Sequence, residues 1–102
     1  MDEVKVLGLE EDGLKILLSG DIDLGNAEVF YTEVLSAYEA TPANVVFDCA
    51  ELNFIDSTTL GTFVKILKKV KENSHTVRLT SLQAKIKKLF LICSLDKIMQ
   101  VD

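Results

Sequence analysis

Apolar and polar residues alternate at the start of the chain, as in a β-strand with one buried face. This pattern predicts strands over Val4–Leu9 and Leu14–Leu18. The intervening Glu11-Asp12-Gly13 favours a tight turn, because glycine takes positive φ at no steric cost. A short apolar run, Val45–Cys49, is typical of a strand covered on both faces. Two later runs complete the predicted strands: Thr76–Leu79, and Ile98–Val101 at the end of the closing segment Leu95–Val101.

Three segments between these strands repeat apolar residues every three or four positions, as amphipathic helices do. The first helix is predicted from an N-cap at Asn26 to about Ala40, before Thr41-Pro42. The second is predicted from Thr58 to about Asn73, and the third after a candidate N-cap at Ser81. The second stripe comprises Leu60, Phe63, Val64, Leu67 and Val70; the third comprises Leu82, Ile86, Leu89 and Phe90.

The predicted element order is β-β-α-β-α-β-α-β, which indicates an α/β fold in a single domain over residues 1–102. An opening hairpin followed by strands that alternate with helices predicts a mixed sheet containing parallel pairs. Right-handed crossovers place the helices mainly on one face of that sheet.

Composition narrows the possible functions. The 102 residues carry a net charge of −5, which argues against nucleic acid as a partner, because phosphate binding needs a basic surface. No apolar run is long enough to insert in a membrane, and the acidic start, Met1-Asp2-Glu3, is unlike a signal peptide. We therefore expect a cytoplasmic protein. Cys49 and Cys93 are expected to be reduced, buried thiols, with a disulfide between them as the alternative.

The junction between the third predicted strand and the second helix concentrates polar chemistry. Asp56 is followed by three hydroxyl residues, Ser57, Thr58 and Thr59. Residues of these types are preferred helix caps, so capping alone would explain them. The alternative is a phosphoacceptor hydroxyl at a helix start, where the helix dipole favours negative charge but neighbouring carboxylates oppose it.

Asp21 and Asp23 follow the second strand and are expected at the same sheet edge as Asp56 if the two strands are neighbours. Three carboxylates there would suit Mg²⁺, whereas turn and cap roles are the simpler interpretation. Catalysis would also need a base, and the only histidine, His75, is predicted in a loop remote from Thr58. No glycine-rich phosphate loop or cysteine metal motif is present. We therefore expect a binding protein that is not an enzyme, with no cofactor and no metal.

The segment Phe54-Ile55-Asp56-Ser57-Thr58-Thr59-Leu60-Gly61 resembles the Asp-Ser-Ser/Thr-Gly-Leu-Gly motif of STAS domains, the bacterial anti-sigma factor antagonists. Gly20-Asp21-Ile22-Asp23 is similar to that family's Gly-Glu/Asp-Leu/Ile-Asp turn. Ser94-Leu95-Asp96-Lys97-Ile98 is similar to its closing segment. The resemblance covers nearly the whole chain in the family's order and spacing.

The resemblance implies a partner-switching function. Members bind an anti-sigma factor that is also a serine/threonine kinase, and this binding releases a sigma factor. The kinase then phosphorylates the antagonist, and a protein phosphatase resets it. Carried over, the phosphoacceptor is Thr58, with Ser57 and Thr59 as further candidates. The implied partner-binding residues are Asp21, Asp23, Asp56, Ser57, Thr59 and Gly61.

One departure from the motif bears on that function. Thr59 stands where the family has glycine, and its side chain is expected to crowd the partner's approach and to supply a competing hydroxyl. This substitution motivates an alternative: an unphosphorylated STAS scaffold subunit of a lipid-transport or stress-sensing complex. A metal-dependent enzyme using the aspartates is the third hypothesis.

Overall fold

An opening hairpin and three crossovers build a five-stranded mixed sheet whose strands lie in sequence order, β1-β2-β3-β4-β5. The computed structural model describes all residues 1–102. The first two strands are antiparallel and the remaining neighbours are parallel. The strands are β1 (Val4–Glu10), β2 (Gly13–Ile22), β3 (Val45–Ile55), β4 (Val77–Thr80) and β5 (Gln100–Val101). The helices are α1 (Ala27–Ala40), α2 (Ser57–Lys71) and α3 (Ala84–Ile92).

All three helices pack on one face of the sheet, which confirms the predicted architecture. Each helix contributes buried residues to a single hydrophobic cluster together with the inward side chains of the strands. Four aromatic rings connect the layers: Phe47 of β3, Phe30 of α1, Phe63 of α2 and Phe90 of α3. Phe63 lies at the centre, with its ring centroid 5.2–5.4 Å from each of the other three. These edge-on contacts add to the stabilisation from area burial.

The two central strands are longer than the sequence pattern predicted. β2 continues to Ile22 and β3 to Ile55, beyond the expected ends at Leu18 and Cys49. Their pairing contains two register shifts, and Gly20 takes a φ of 68° beside the second. Such irregularities break the apolar alternation, so polar residues occupy strand positions that the pattern assigned to a loop. The extensions carry both strands to the sheet edge that bears the site.

The buried stripe of α2 differs from the prediction. Leu60 and Val64 are only half-buried, whereas Thr59, Thr62 and Ile66 are buried with the expected Phe63, Leu67 and Val70. The helix is therefore rotated about its axis relative to the prediction, and its buried stripe begins at Thr59.

The C-terminal part also departs from expectation. The helix α3 starts after Gln83, because Ser81 has a φ of 60° and does not cap it. A 3₁₀ turn over Leu95–Lys97 precedes the predicted last strand, Ile98–Val101, of which only Gln100–Val101 is paired to β4. Both cysteines are free. Cys49 is buried, and desolvation followed by the charge of Asp48 raises the pKa of its thiol to about 12. Cys93 is exposed, contrary to the prediction.

His75 precedes β4 and so lies at the amino-terminal end of the parallel strands, whereas Thr58 lies at their carboxyl end. The two residues are therefore remote from each other, as predicted. His75 is partly buried, and its Nδ1 is 2.5 Å from the hydroxyl of Tyr38. This contact gives His75 a packing role against α1.

Candidate functional site

The loops that follow β2 and β3 meet at one edge of the sheet. These strands are parallel neighbours, and Ile22 is paired with Ile55 at their carboxyl ends. The segments that carry Asp23 and Asp56 are therefore adjacent, as expected. Two side-chain hydrogen bonds join the loops directly: Leu24 N–H donates to Asp56 Oδ2, and Thr59 Oγ1 donates to the Ile22 carbonyl.

Asp56 is the N-cap of α2 and forms the entire connection between β3 and the helix. Its Oδ1 accepts from Thr59 N–H at 3.0 Å, and its Oδ2 accepts from Leu24 N–H at 2.9 Å. The bond from Thr59 N–H, aided by the one from Leu24, lowers the pKa of the carboxyl below its ordinary value. The carboxylate therefore remains charged and satisfies one of the N–H groups that open a helix.

Thr59 is buried, with no exposed surface, at the start of the α2 core stripe. Its Oγ1 lies 2.5 Å from the Ile22 carbonyl and 3.1 Å from Asp56 Oδ1, so its single proton is directed mainly to the backbone oxygen. The side chain fastens α2 to the end of β2. This placement contradicts the expectation that Thr59 would crowd a partner or compete as a surface hydroxyl.

Ser57 and Thr58 are both exposed, and neither hydroxyl makes a hydrogen bond within the protein. The main-chain carbonyl of Thr58 accepts from Thr62 Oγ1, and this bond does not use the Thr58 hydroxyl. Thr58, but not Ser57, lines an open depression of about 520 Å³ between the starts of α1 and α2. The position of the helix therefore distinguishes three consecutive hydroxyls that composition alone did not.

Two features of this depression were not found from the sequence. Tyr31 and Lys65 face each other across α1 and α2, with the ammonium 4.8 Å from the ring centroid. Leu24, which is 75% exposed, and Glu28 also line the depression. The helical spacing of Thr58 and Lys65, seven residues apart, placed both on one face and was the available signal.

Asp23 organises the loop before α1. Its Oδ1 accepts from Gly25 N–H, and its carbonyl accepts from the N–H groups of Asn26 and Ala27. Asn26 occupies the predicted N-cap position, but its side chain does not cap the helix. Instead the amide accepts from Asp23 N–H and donates to the Asp21 carbonyl. Asp21 is the penultimate residue of β2, and its carboxylate is exposed and makes no hydrogen bond.

Gly61 lies exposed on α2, and a Cβ added there would meet no atom within 4 Å. The fold therefore does not require glycine at this position. The aspartates also do not assemble a cation site, since the structure contains no group of three or more His, Cys, Asp or Glu side chains arranged to hold a metal ion. None of the helices has the length and apolar character needed to cross a lipid bilayer.

Comparison with known proteins places this architecture. A family model, the STAS domain, matches residues 7–102. The anti-sigma-B factor antagonist of Bacillus subtilis (strain 168) is 28% identical over 92 residues, which cover 90% of this chain and 84% of that protein. The unphosphorylated anti-sigma factor antagonist SpoIIAA has a TM-score of 0.75 at 14% identity, covering 97% of this chain and 86% of that one. The phosphorylated Bacillus SpoIIAA gives 0.74 at 16%, covering 97% and 90%.

The two structural likenesses show the shared fold, and the sequence match extends over almost the entire chain. The chain therefore belongs to the STAS domain family.

Proposed function

We propose that this protein is an anti-sigma factor antagonist whose binding is switched by phosphorylation of Thr58. It would bind an anti-sigma factor that has serine/threonine kinase activity, release a sigma factor, and be reset by a protein phosphatase. The similarity to the Bacillus subtilis antagonist supports the family role. The existence of a phosphorylated SpoIIAA structure with the same fold supports phosphorylation as the means of control.

The observation that carries the choice of residue is the different placement of the three hydroxyls. Thr59 is buried and hydrogen-bonded, so it is not accessible to a kinase in this conformation. Thr58 is exposed, free of hydrogen bonds at its hydroxyl, and lies in the depression between α1 and α2. Ser57 is exposed but outside that depression, which makes it the second choice.

Phosphate on Thr58 would change the surface without altering the fold. It adds about 1.5 to 2 negative charges at neutral pH, beside the first turn of a helix whose dipole favours an anion. The capping contact of Asp56 with Thr59 N–H leaves the Thr58 hydroxyl unused, so modification need not break a hydrogen bond. Asp56 and Glu28 are carboxylates at the same edge and Lys65 is the cation that lines the depression, so the added charge would make the balance of this surface acidic. A partner fitted to the neutral surface would be repelled or sterically displaced.

The test is calorimetric titration of the purified protein with each anti-sigma factor kinase from its own organism, in the absence of ATP. We expect wild type and Thr58→Ala to bind one of them equally, and Thr58→Glu to bind it at least about tenfold more weakly, because a charge is placed inside the interface. Ser36→Glu, at an exposed position of α1 outside the depression, is the matched control and should bind like wild type. Equal binding by all four proteins would overturn the switch and favour the passive scaffold.

A further inference from the structure

The edge strand β1 carries unusual apolar exposure. Three of its seven residues are large apolar side chains at the surface: Val6 is 46% exposed, Leu7 44% and Leu9 63%. It pairs only with β2, so its outer side presents main-chain N–H and C=O groups without strand partners. Such an edge is a template for another strand unless it is blocked. The opposite edge, β5, has only two residues and offers no comparable template.

A β-bulge in β1 changes which of its side chains lie on the same face of the sheet. Val6 and Leu9 are paired with the core residues Ile16 and Leu14, so both side chains lie on the helix-covered face. Lys5 is paired with Leu17 and Glu10 with Gly13, which places both charges on the other face. In a regular strand, residues five apart point to opposite faces. The register shift between Val6 and Gly8 is what brings Lys5 and Glu10 to the same face.

We propose that β1 is a self-association surface and pairs antiparallel with β1 of a second copy. The two-fold axis passes between Leu7 and Gly8, so that Lys5 lies opposite Glu10 of the second copy and Val6 opposite its Leu9. Each contact occurs twice by symmetry. The pairing joins two opposite charges on one face of the sheet and two apolar side chains on the other, as favourable cross-strand pairs do.

The main-chain geometry agrees with this register. Glu3 accepts from Ser19 N–H on the β2 side, and antiparallel pairing alternates bonded and non-bonded residues along a strand. This alternation directs the N–H and C=O groups of Val6 away from β2. The pair Glu10–Gly13 closes the two-residue hairpin, so the groups of the neighbouring Leu9 also point outward. Val6 and Leu9 are therefore available to bond one another across the two-fold axis.

Gly8 provides the space at that axis. It takes a φ of 102° in the bulge, and apart from Gly8 and its two chain neighbours no atom lies within 4 Å of the position that a Cβ would occupy. The exposed side chain of Leu7 from the second copy would cover this open surface. β1 contributes no residue to the depression beside Thr58, so pairing leaves that surface accessible in both copies.

Other charges moderate the strength of this contact. Glu10 already lies 3.6 Å from Lys15 of its own chain, so Lys5 of the second copy would share an engaged carboxylate. The same register would bring Glu3 of one copy towards Asp12 of the other, just beyond the strand ends. Each copy also carries a net charge of −5. The interface is small and these repulsions oppose it, so we expect a reversible, concentration-dependent dimer.

Charge exchange tests the pairing by sedimentation velocity over a series of protein concentrations. Lys5→Glu alone and Glu10→Lys alone should each weaken dimerisation about tenfold or more, because each places like charges opposite one another at two sites. Mixing the two single variants should restore association as a heterodimer, since every cross-strand pair is then again Glu opposite Lys. Lys69→Glu and Glu39→Lys, at exposed positions of α2 and α1, are the matched controls and should dimerise like wild type.

A wild-type protein that remains monomeric at the highest concentration would overturn the proposal. A dimer that the two single variants leave intact would overturn it as well, as would variants that fail to associate when mixed. Circular dichroism of each single variant, compared with wild type, verifies that the hairpin is folded. These results are independent of partner binding at Thr58, so either proposal can fail without the other.

Discussion

The two helices beside the site begin in different ways. The start of α2 is tight: one residue, Asp56, separates it from β3, and its side chain caps the helix. The start of α1 follows a four-residue loop in which the side chain of Asn26 bonds the loop instead of the helix. Leu24, at the tip of that loop, is 75% exposed. Two hydrogen bonds nevertheless join these regions: Leu24 N–H of the loop donates to Asp56, and Thr59 Oγ1 donates to the carbonyl of Ile22, the last residue of β2.

This difference indicates a division of roles at one sheet edge. The α2 start is a fixed platform, because a buried threonine and a charged cap determine the position of its first turn. The α1 loop is a more exposed element, connected to that platform by the bond from Leu24 N–H to Asp56 and adjoining Ile22, whose carbonyl accepts from Thr59. A modification on Thr58 would therefore be presented in a defined position relative to the loop, which suits a site read by a partner.

The largest effect on stability is expected from breaking the buried contact of the platform. Thr59→Val keeps the volume of the side chain but leaves the Ile22 carbonyl without its hydroxyl donor. We expect the free energy of unfolding to fall by about 1 to 3 kcal/mol, the usual cost of a buried acceptor that loses its partner. Chemical denaturation at neutral pH, with circular dichroism as the signal, measures this change.

The α1 side of the comparison provides the control. Thr32 is an exposed threonine whose Oγ1 donates to the Glu28 carbonyl within the helix. Thr32→Val should change stability by no more than about 0.5 kcal/mol, as for most surface substitutions. If the two variants are destabilised to the same degree, the hydrogen bond from Thr59 to the Ile22 carbonyl does not stabilise the start of α2, and the proposed difference between the two helix starts is wrong.

A smaller effect is expected from acidification, through the charge of Asp56. The hydrogen bond from Thr59 N–H, followed by the one from Leu24, lowers its pKa in the folded protein below the ordinary value of 3.8. Because folding lowers this pKa, the ionised form of Asp56 stabilises the fold at pH values above 3.8. This contribution is lost as the pH falls below 3.8 through the pKa of the folded state.

Asp56→Asn tests this contribution, because the amide does not ionise and keeps an oxygen acceptor for only one of the two N–H donors. Wild type should melt at a higher temperature than Asp56→Asn at about pH 7, and the difference should shrink as the pH is lowered to about 3. Every other ionisable group is the same in both proteins, so its contribution cancels in the comparison. A difference in melting temperature that stays constant over this range would show that the charge of Asp56 does not stabilise the turn.

Much of the fold was predictable because local patterns and topology agree. Helical spacing located α1 and α2 to within a few residues, and the alternation of strands and helices implied a mixed sheet with one covered face. The ends of β2 and β3 were not predictable, since bulges at Gly20 and after Leu17 let polar residues continue a strand. Pairing with a neighbouring strand, rather than the local pattern, decides where such a strand ends.

The chemistry of the site was predictable, but the orientation of its side chains was not. Three consecutive hydroxyls point in directions about 100° apart on a helix, so only the exact rotation of α2 decides which one is buried. The spacing of Thr59 to Phe63 and Ile66 was the available signal, because four and seven residues separate members of one stripe. The family motif has glycine at the position of Thr59 and so implied a partner-facing side chain there, whereas the helical spacing indicates a core position.

Phosphopeptide mapping of residues 53–65 in protein taken from its own cells, grown under several conditions, identifies which of the three hydroxyls carries phosphate. We expect phosphate on Thr58, the exposed hydroxyl in the depression, and none on the buried Thr59. Phosphate on Thr59 would contradict the distinction drawn between the two threonines. A segment that remains unmodified under every condition would contradict the phosphorylation switch itself.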